Sequence, residues 1–312
     1  MSTGTIVEGN FRPSFPEQVD NSMRTSFVNC PRKFQFEYLE HFTPPKTSIH
    51  LHAGACFARG LEVTRKTFYV EGQGAKESLL AGGLAIVEEW GDYEPFEPDH
   101  NKRLERVVQA LGAYFTEYPM ASDHVQPWKD QAGIPMIEYS FAHPLDIEHP
   151  DTGQPILYTG RFDMLGEYNA GCYCDDEKTT GQLGASWLKN WHLRSQFTGY
   201  TWAARVDGFP CNGAIVRGIS LLKRSFGHAE VIELRADWQI EQWYDQLIRD
   251  ISRMKRCWEE GFFDQNLDQA CAAYGGCGFQ RLCSVKNWEQ WASQDFIRQK
   301  WNPVTGEREL IQ

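Results

Sequence analysis

"GRFDMLGEYNAGCYCDDEKTT" (residues 160–180) is the stretch on which the reading of this chain turns. Its two ends alternate apolar and polar residues as strands do, and "EYNAG" (167–171) between them is rich in turn-forming residues, so the spacing predicts a β-hairpin. Residues two apart on a strand face the same way, so Asp176 and Lys178 project together while Glu177 points away. Asp163, on the preceding strand, lies beside them if the two strands pair. Two carboxylates and a lysine then converge. Carboxylates are hard oxygen ligands suited to Mg2+ or Mn2+, and an ammonium beside them can orient or help deprotonate a metal-bound water. The competing reading of the same residues is an exposed hairpin edge with alternating charges.

Working outward, "IPMIEYSFAHPLDI" (134–147) reads as a further strand, which with 155–168 and 172–180 makes a meander. A helix over 187–206, strands at 214–224 and 229–236, and a helix over 236–260 follow. Upstream, helical spacing covers 23–42, 53–70, 75–91 and 100–118, the last with an apolar stripe of Leu104, Val107, Val108 and Leu111. Without internal repeats or a low-complexity linker, this order predicts a single α/β domain over 1–312. Within it we expect an extended lead (1–22), a helical portion (23–120), a catalytic α/β core (130–262) and a C-terminal segment (263–312).

A hydrophobic fraction of 41% and an aromatic fraction of 13% belong to a globular chain. No run approaches the roughly 18 apolar residues of a membrane helix, and the N-terminus lacks the basic-then-apolar order of a signal peptide, so we expect no membrane partner and a cytoplasmic location. The formal net charge of -11 argues against nonspecific coating of nucleic acid and leaves room for a local basic groove. "GK" never occurs, so there is no phosphate loop of the G-x4-G-K-[ST] type, and any helicase would be a separate chain. Nine cysteines cannot all pair. In a reducing compartment clustered thiols more often bind metal, and "CAAYGGCGFQRLC" (271–283) is such a cluster. Gly275, Gly276 and Gly278 suit a backbone wrapped around a metal.

The Asp163 and Asp176-Glu177-Lys178 pattern resembles the PD-(D/E)XK nuclease superfamily, which implies a restriction-endonuclease-like mixed sheet flanked by helices. Gln196 and Tyr200 in "QFTGY", one turn apart on the following helix, match the Q-x3-Y of its RecB-like exonuclease branch. "GACFARGLE" (54–62) resembles that branch's G-x3-H-x3-E motif, with Gly54 and Glu62 in place, and "SFVNCPRKFQFEYL" (26–39) resembles its N-terminal helix. The resemblance implies a deoxyribonuclease, an exonuclease on single strands or DNA ends, with Mg2+ or Mn2+ on Asp163 and Asp176. Lys178 would then orient the attacking water, with Gln196 and Tyr200 shaping the site and Arg32 and Lys33 contacting DNA. Where the branch has its histidine this chain has Ala58, and Glu62, one turn on, could reach the metal directly or through water. A catalytically silent subunit that binds DNA ends or serves assembly is the alternative that Ala58 raises. His50 and His52, outside the motif register, read as loop residues.

In iron-sulfur members of the branch, which include AddB-type nucleases and the nuclease of CRISPR adaptation modules, one cysteine before the core and three after it hold a 4Fe-4S cluster. Cys30, Cys271, Cys277 and Cys283 stand in those positions, so the cluster would tie the C-terminal segment back to the N-terminal helix across about 240 residues. Their C-x5-C-x5-C spacing departs from the C-x2-C-x5-C of many relatives. A four-cysteine zinc site uses the same ligands. Such chains resemble phage recombination nucleases as well as CRISPR adaptation nucleases, which implies DNA and a separate helicase or recombination protein as partners. The remaining cysteines, Cys172 and Cys174 among them, read as packed core.

Overall fold

The computed structural model describes residues 4–7, 10–272 and 276–311; Gly275 lies outside them. Numbered in chain order, the elements begin with β1 (Gly4–Val7), β2 (Asn10–Pro13), β3 (Gln18–Val19), α1 (Asn21–Asn29) and α2 (Pro31–Phe34), the last continued by a π-helical turn to Leu39. Then come β4 (Phe42–Thr43), α3 (Ile49–Arg65) with a π turn to Val70, α4 (Ala75–Trp90), α5 (Leu104–Glu117), β5 (Gln126–Pro127), β6 (Ile137–Glu148) and β7 (Pro155–Tyr168). After β8 (Gly171–Thr180), α6 (Ala185–Lys189) and α7 (Ser195–Val206) lead to β9 (Cys211–Leu221) and β10 (Phe226–Leu234). The chain closes with α8 (Asp237–Glu260), α9 (Gln269–Ala272), α10 (Gln280–Cys283), α11 (Trp288–Asp295), β11 (Ile297–Asn302) and β12 (Glu307–Leu310). Among the described residues no helix is long and apolar enough to cross a membrane.

Two compact units interleave along this chain. One is formed by residues 1–46, 140–161 and 241–312, the other by 47–139 and 162–240. The second is a mixed sheet flanked by helices. Its strand order is β10-β9-β8-β7, antiparallel at both ends and parallel between β8 and β9. That parallel step needs a crossover, which α6 and α7 supply. β9 is buried along almost its whole length, as the run "AIVRGISL" predicts for a strand covered on both faces. On one side α3, α4 and α5 build a core around Phe57, Leu61, Ile86, Val107, Leu111 and Tyr114. There α3 and α4 approach closely enough that a side chain on Gly82 would meet the Gly60 carbonyl oxygen at 2.6 Å.

In the first unit, β3 runs parallel to the start of β7, and β4 pairs with the β11–β12 hairpin. Phe36, Phe42, Phe279, Leu282 and Ala292 form its apolar cluster. The expected helix over 23–42 breaks at Cys30, which is extended (φ -162°, ψ 108°). The cause is local: a residue before proline is driven out of the helical region, and Pro31 then opens the next helix as its first residue. The expected helix over 187–206 is likewise two, α6 and α7. Between them Trp191 is buried against Trp187 and Phe197, and its carbonyl accepts from Arg235 Nη2 at 3.2 Å, so packing overrides helical propensity. His50 and His52 lie on α3 rather than in a loop; the His52 ring stacks on Tyr93 at 4.0 Å.

Candidate active site

Asn169 and Ala170 both take positive φ (47° and 59°), the backbone of a two-residue hairpin whose twist matches its strands. That turn sets the register: Met164 faces Asp175 as the last pair of the β7–β8 ladder, and Asp163 and Asp176, the next residue of each strand, act on one another electrostatically. Asp176 is 2% exposed. The ammonium of Lys178, on the same face of β8, stands 2.6 Å from Asp176 Oδ1. From α7, the Gln196 side-chain amide donates to Asp176 Oδ2 at 3.2 Å and to the Tyr200 hydroxyl at 3.3 Å, and Tyr200 meets Phe162 edge-on at 5.1 Å. Asp163, Asp176, Lys178, Gln196 and Tyr200 thus occupy one neighbourhood.

Burial, then the neighbouring carboxylates of Asp176 and Glu138, push the Asp163 carboxyl well above its usual range, against the pull of Lys178. Burial raises Asp176 too, opposed by Lys178. Lys178 moves the other way. Burial favours its neutral form, yet Asp176 and Asp163 outweigh that and hold it protonated, so it is a hydrogen-bond donor and not a base. A carboxyl whose folded pKa is raised contributes stability below its unfolded value, near 4, and loses it as pH rises through the folded value. Removing the Asp163 charge is therefore expected to help the metal-free fold at neutral pH. Asp163→Asn should melt higher than wild type without divalent cation; thermal unfolding in a chelator checks this, and a lower melting temperature would contradict it.

The opposite face of β8 carries a different set of charges. Arg65, near the end of α3, donates from Nη1 to Glu177 Oε2 and from Nη2 to Asp175 Oδ2, both at 3.0 Å. The Tyr114 hydroxyl donates to Glu177 Oε1 at 2.7 Å. On β9, Arg217 binds Asp123 through Nη2 at 2.8 Å and Glu230 through Nε at 2.8 Å. Glu62 belongs to the same helix as Arg65, and its carboxylate is held by Lys66 at 2.7 Å and Arg59 at 2.8 Å. Burial works to raise its pKa and those two cations lower it on balance.

Residues 22–284 match the model of the PD-(D/E)XK nuclease superfamily. The chain belongs to that superfamily. No curated protein matches it. The solved structure described as "Crystal structure of SSO0001" aligns with 73% of this nuclease and 85% of its own chain, at 13% identity and a TM-score of 0.31, too loose a likeness to carry any argument.

Membership makes Asp163, Asp176 and Lys178 the nuclease's candidates for phosphodiester hydrolysis with Mg2+ or Mn2+. Among the described residues no three His, Cys, Asp or Glu side chains converge on a point that would hold a metal ion. The acid pair still fits such a cation. Mg2+ takes one or two carboxylates and completes its shell with water and substrate phosphate, and here the buried carboxylate of Asp176 and the half-buried one of Asp163 share the ammonium of Lys178. Two residues that the motif reading missed bear on this pair. Glu138 on β6 acts on Asp163, and Arg194, at the start of α7, acts on Asp176.

The four outer cysteines of the nuclease also gather. Burial raises the Cys277 thiol first, and Cys30 and Cys271 add to it; burial likewise raises Cys283, joined by Cys30 and Cys277. The segments bearing them are tied by backbone: Arg32 N donates to Asp264 O at 2.9 Å, and Cys277 N to Cys271 O at 2.8 Å. Gly276 takes φ 116°, a turn only glycine makes without strain. Among the described residues no three of these thiols converge on a point that would hold a metal ion. Arg32 and Lys33, candidates for DNA contact, lie here: Arg32 Nε donates to Phe263 O at 2.9 Å, and the charges of Lys33 and Arg32 act on Cys277 and Cys283. Cys172 and Cys174 are fully buried, with Cys174 Sγ 3.6 Å from Cys211 Sγ, a third thiol whose proximity depends on the parallel pairing of β8 and β9.

Proposed function

We propose that this nuclease is a metal-dependent deoxyribonuclease of the RecB-like branch, an exonuclease on single strands or DNA ends in recombination, repair or replication. The observation that carries the reading is Asp176 gripped between Lys178 and Gln196 beside Asp163. Asp163 and Asp176 hold the divalent cation, and Glu62, occupied by Lys66 and Arg59, contributes at most through water. Such a cation lowers the pKa of a bound water and offsets charge on the phosphoryl group. Lys178, held protonated, donates to the attacking water and orients it for in-line displacement. Gln196 fixes the rotamer of Asp176, and Tyr200 fixes Gln196. Cys30, Cys271, Cys277 and Cys283 hold a 4Fe-4S cluster whose part is structural, with Arg32 and Lys33 offsetting its negative charge and reaching towards DNA. The protein works in the reducing cytoplasm beside a separate helicase or recombination protein.

Ala58 favours one other reading, a nuclease fold that binds DNA ends without cutting them. One experiment separates the two. After anaerobic purification, we expect a brown protein with iron and sulfide in equal amounts that degrades DNA in Mg2+ or Mn2+. Folded, colourless, iron-free protein overturns the cluster, and DNA binding without product in either cation supports the silent subunit.

A further inference from the structure

We propose that Lys102, with His100 and His50 beside it, binds a phosphate of the DNA backbone at the end of β8 that carries Lys178. The inference rests on the nuclease reading of Asp176 and Lys178 and adds to it a place where the substrate strand is held.

The segment leading into α5 brings Lys102 to the C-terminal end of β8. Its ammonium stands 3.2 Å from Thr179 Oγ1 and 3.4 Å from Thr179 O, and Thr179 follows Lys178 directly. Period-two alternation turns Thr179 to the face opposite Lys178, so the two lysines reach the end of the strand from its two sides. β8 and β9 run parallel there, with Thr179 beside Ile219 and Thr180 beside Ser220. In open α/β sheets ligands bind outside the carboxyl ends of the strands, and a DNA strand crossing this end passes both lysines.

What marks Lys102 is a buried charge without an acid. It is 5% exposed, and among the described residues its ammonium has the two Thr179 oxygens as partners and no carboxylate. Burial lowers its pKa to about 8, and no acid pulls it back up. Glu177, on the same face of β8 as Thr179, is already answered by Arg65. A buried cation is costly unless an anion answers it, and of the three donors of an ammonium the Thr179 oxygens take at most two. The neighbours of Lys102 are donors as well. Lys102 N donates to His100 Nδ1 at 3.0 Å, which leaves the ring proton on Nε2. The His50 ring meets that of His100 edge-on at 5.2 Å, and burial and then the charge of Lys102 hold its pKa down, as positive charge in excess does. The turn that follows β9 at the same end adds exposed Lys223 and Arg224. In a chain of net charge -11 this is a local gathering of cations, and a phosphodiester is the anion that the reaction brings.

The test is binding of a fluorescent single-stranded oligonucleotide in chelator, followed by anisotropy across a salt series, for wild type, Lys102→Met and Lys102→Gln, with cleavage kinetics in Mn2+ alongside. Lys102→Met is expected to weaken binding by about tenfold, the scale of one charge-assisted hydrogen bond. It should also flatten the slope of log K against log salt by about one unit, the loss of one phosphate contact, which a merely structural lysine would not change. In cleavage, KM should rise by about the same factor with kcat nearly unchanged. Unchanged affinity and salt slope overturn the assignment of Lys102 while the nuclease reading stands, whereas a wild type that neither binds nor cleaves DNA takes both down. Lys102→Gln keeps a donor for Thr179 without the charge and should behave as Lys102→Met does. If it binds DNA as wild type does, the lysine acts by holding Thr179 and the proposal is overturned. Should Lys102→Met fail to fold by circular dichroism, the same outcomes are read from Lys102→Gln.

Discussion

Lys178→Met is expected to lower DNA cleavage by about a thousandfold while leaving Mn2+ bound, because it removes the donor that we propose orients the attacking water and spares both carboxylates. Loss of one preorganised donor costs roughly two to three orders of magnitude, and Lys178 also answers the charges of Asp176 and Asp163, so the upper end applies. Its ammonium is 2.6 Å from Asp176 and is held protonated by Asp176 and Asp163. Asp176→Asn should be equally inactive for a different reason: it removes the charge of a carboxylate that we propose holds the cation. Single-turnover cleavage and Mn2+ binding together separate the two. Undiminished cleavage by both purified variants would sink the assignment of this site.

The hairpin carrying Asp163 and Asp176 was legible because its chemistry is local: alternation defines both strands, and a two-residue turn defines the register. β7 was expected at 155–168 and runs over Pro155–Tyr168. Other features depend on distant parts of the chain. Glu138 stands in a stretch read only as a strand, and its charge acts on Asp163 of the neighbouring strand, which no spacing within 134–147 reveals. Cys211 joins Cys174 only through the parallel step between β8 and β9. The two compact units interleave, so no change of composition along the sequence marks where one gives way to the other.

Glu177 shows the same limit most sharply. Period-two alternation correctly turns it away from Asp176, and on sequence grounds that is where a solvated charge would go. It meets instead a buried guanidinium 112 positions earlier in the chain. Arg65→Met should therefore cost about 3 to 5 kcal/mol, the penalty for leaving a buried charge unpaired, and lower the melting temperature by roughly 10 °C. Both faces of the pair are closed: Arg65 is 3% exposed and Glu177 9%, so water cannot replace the missing cation. The pH dependence has a definite sign. Burial alone would raise the Glu177 carboxyl, but Arg65 first, with Tyr114 and Arg217 behind it, outweighs burial and holds it below its usual range. A depressed carboxyl contributes stability above its unfolded pKa and loses it as pH falls through the folded value. The gap between wild type and Arg65→Met should accordingly be widest near neutral pH and narrow in acid, where Glu177 is protonated in both. Adding Glu177→Gln to Arg65→Met should recover part of the loss by removing the stranded charge, with Asp175, Arg65's other partner at 3.0 Å, accounting for the remainder. Chemical denaturation of the two single variants and the double variant measures the coupling. A single-variant cost below about 1 kcal/mol, the scale of an exposed pair, would mean that β8 holds the face bearing Asp176 and Lys178 without this clamp behind it.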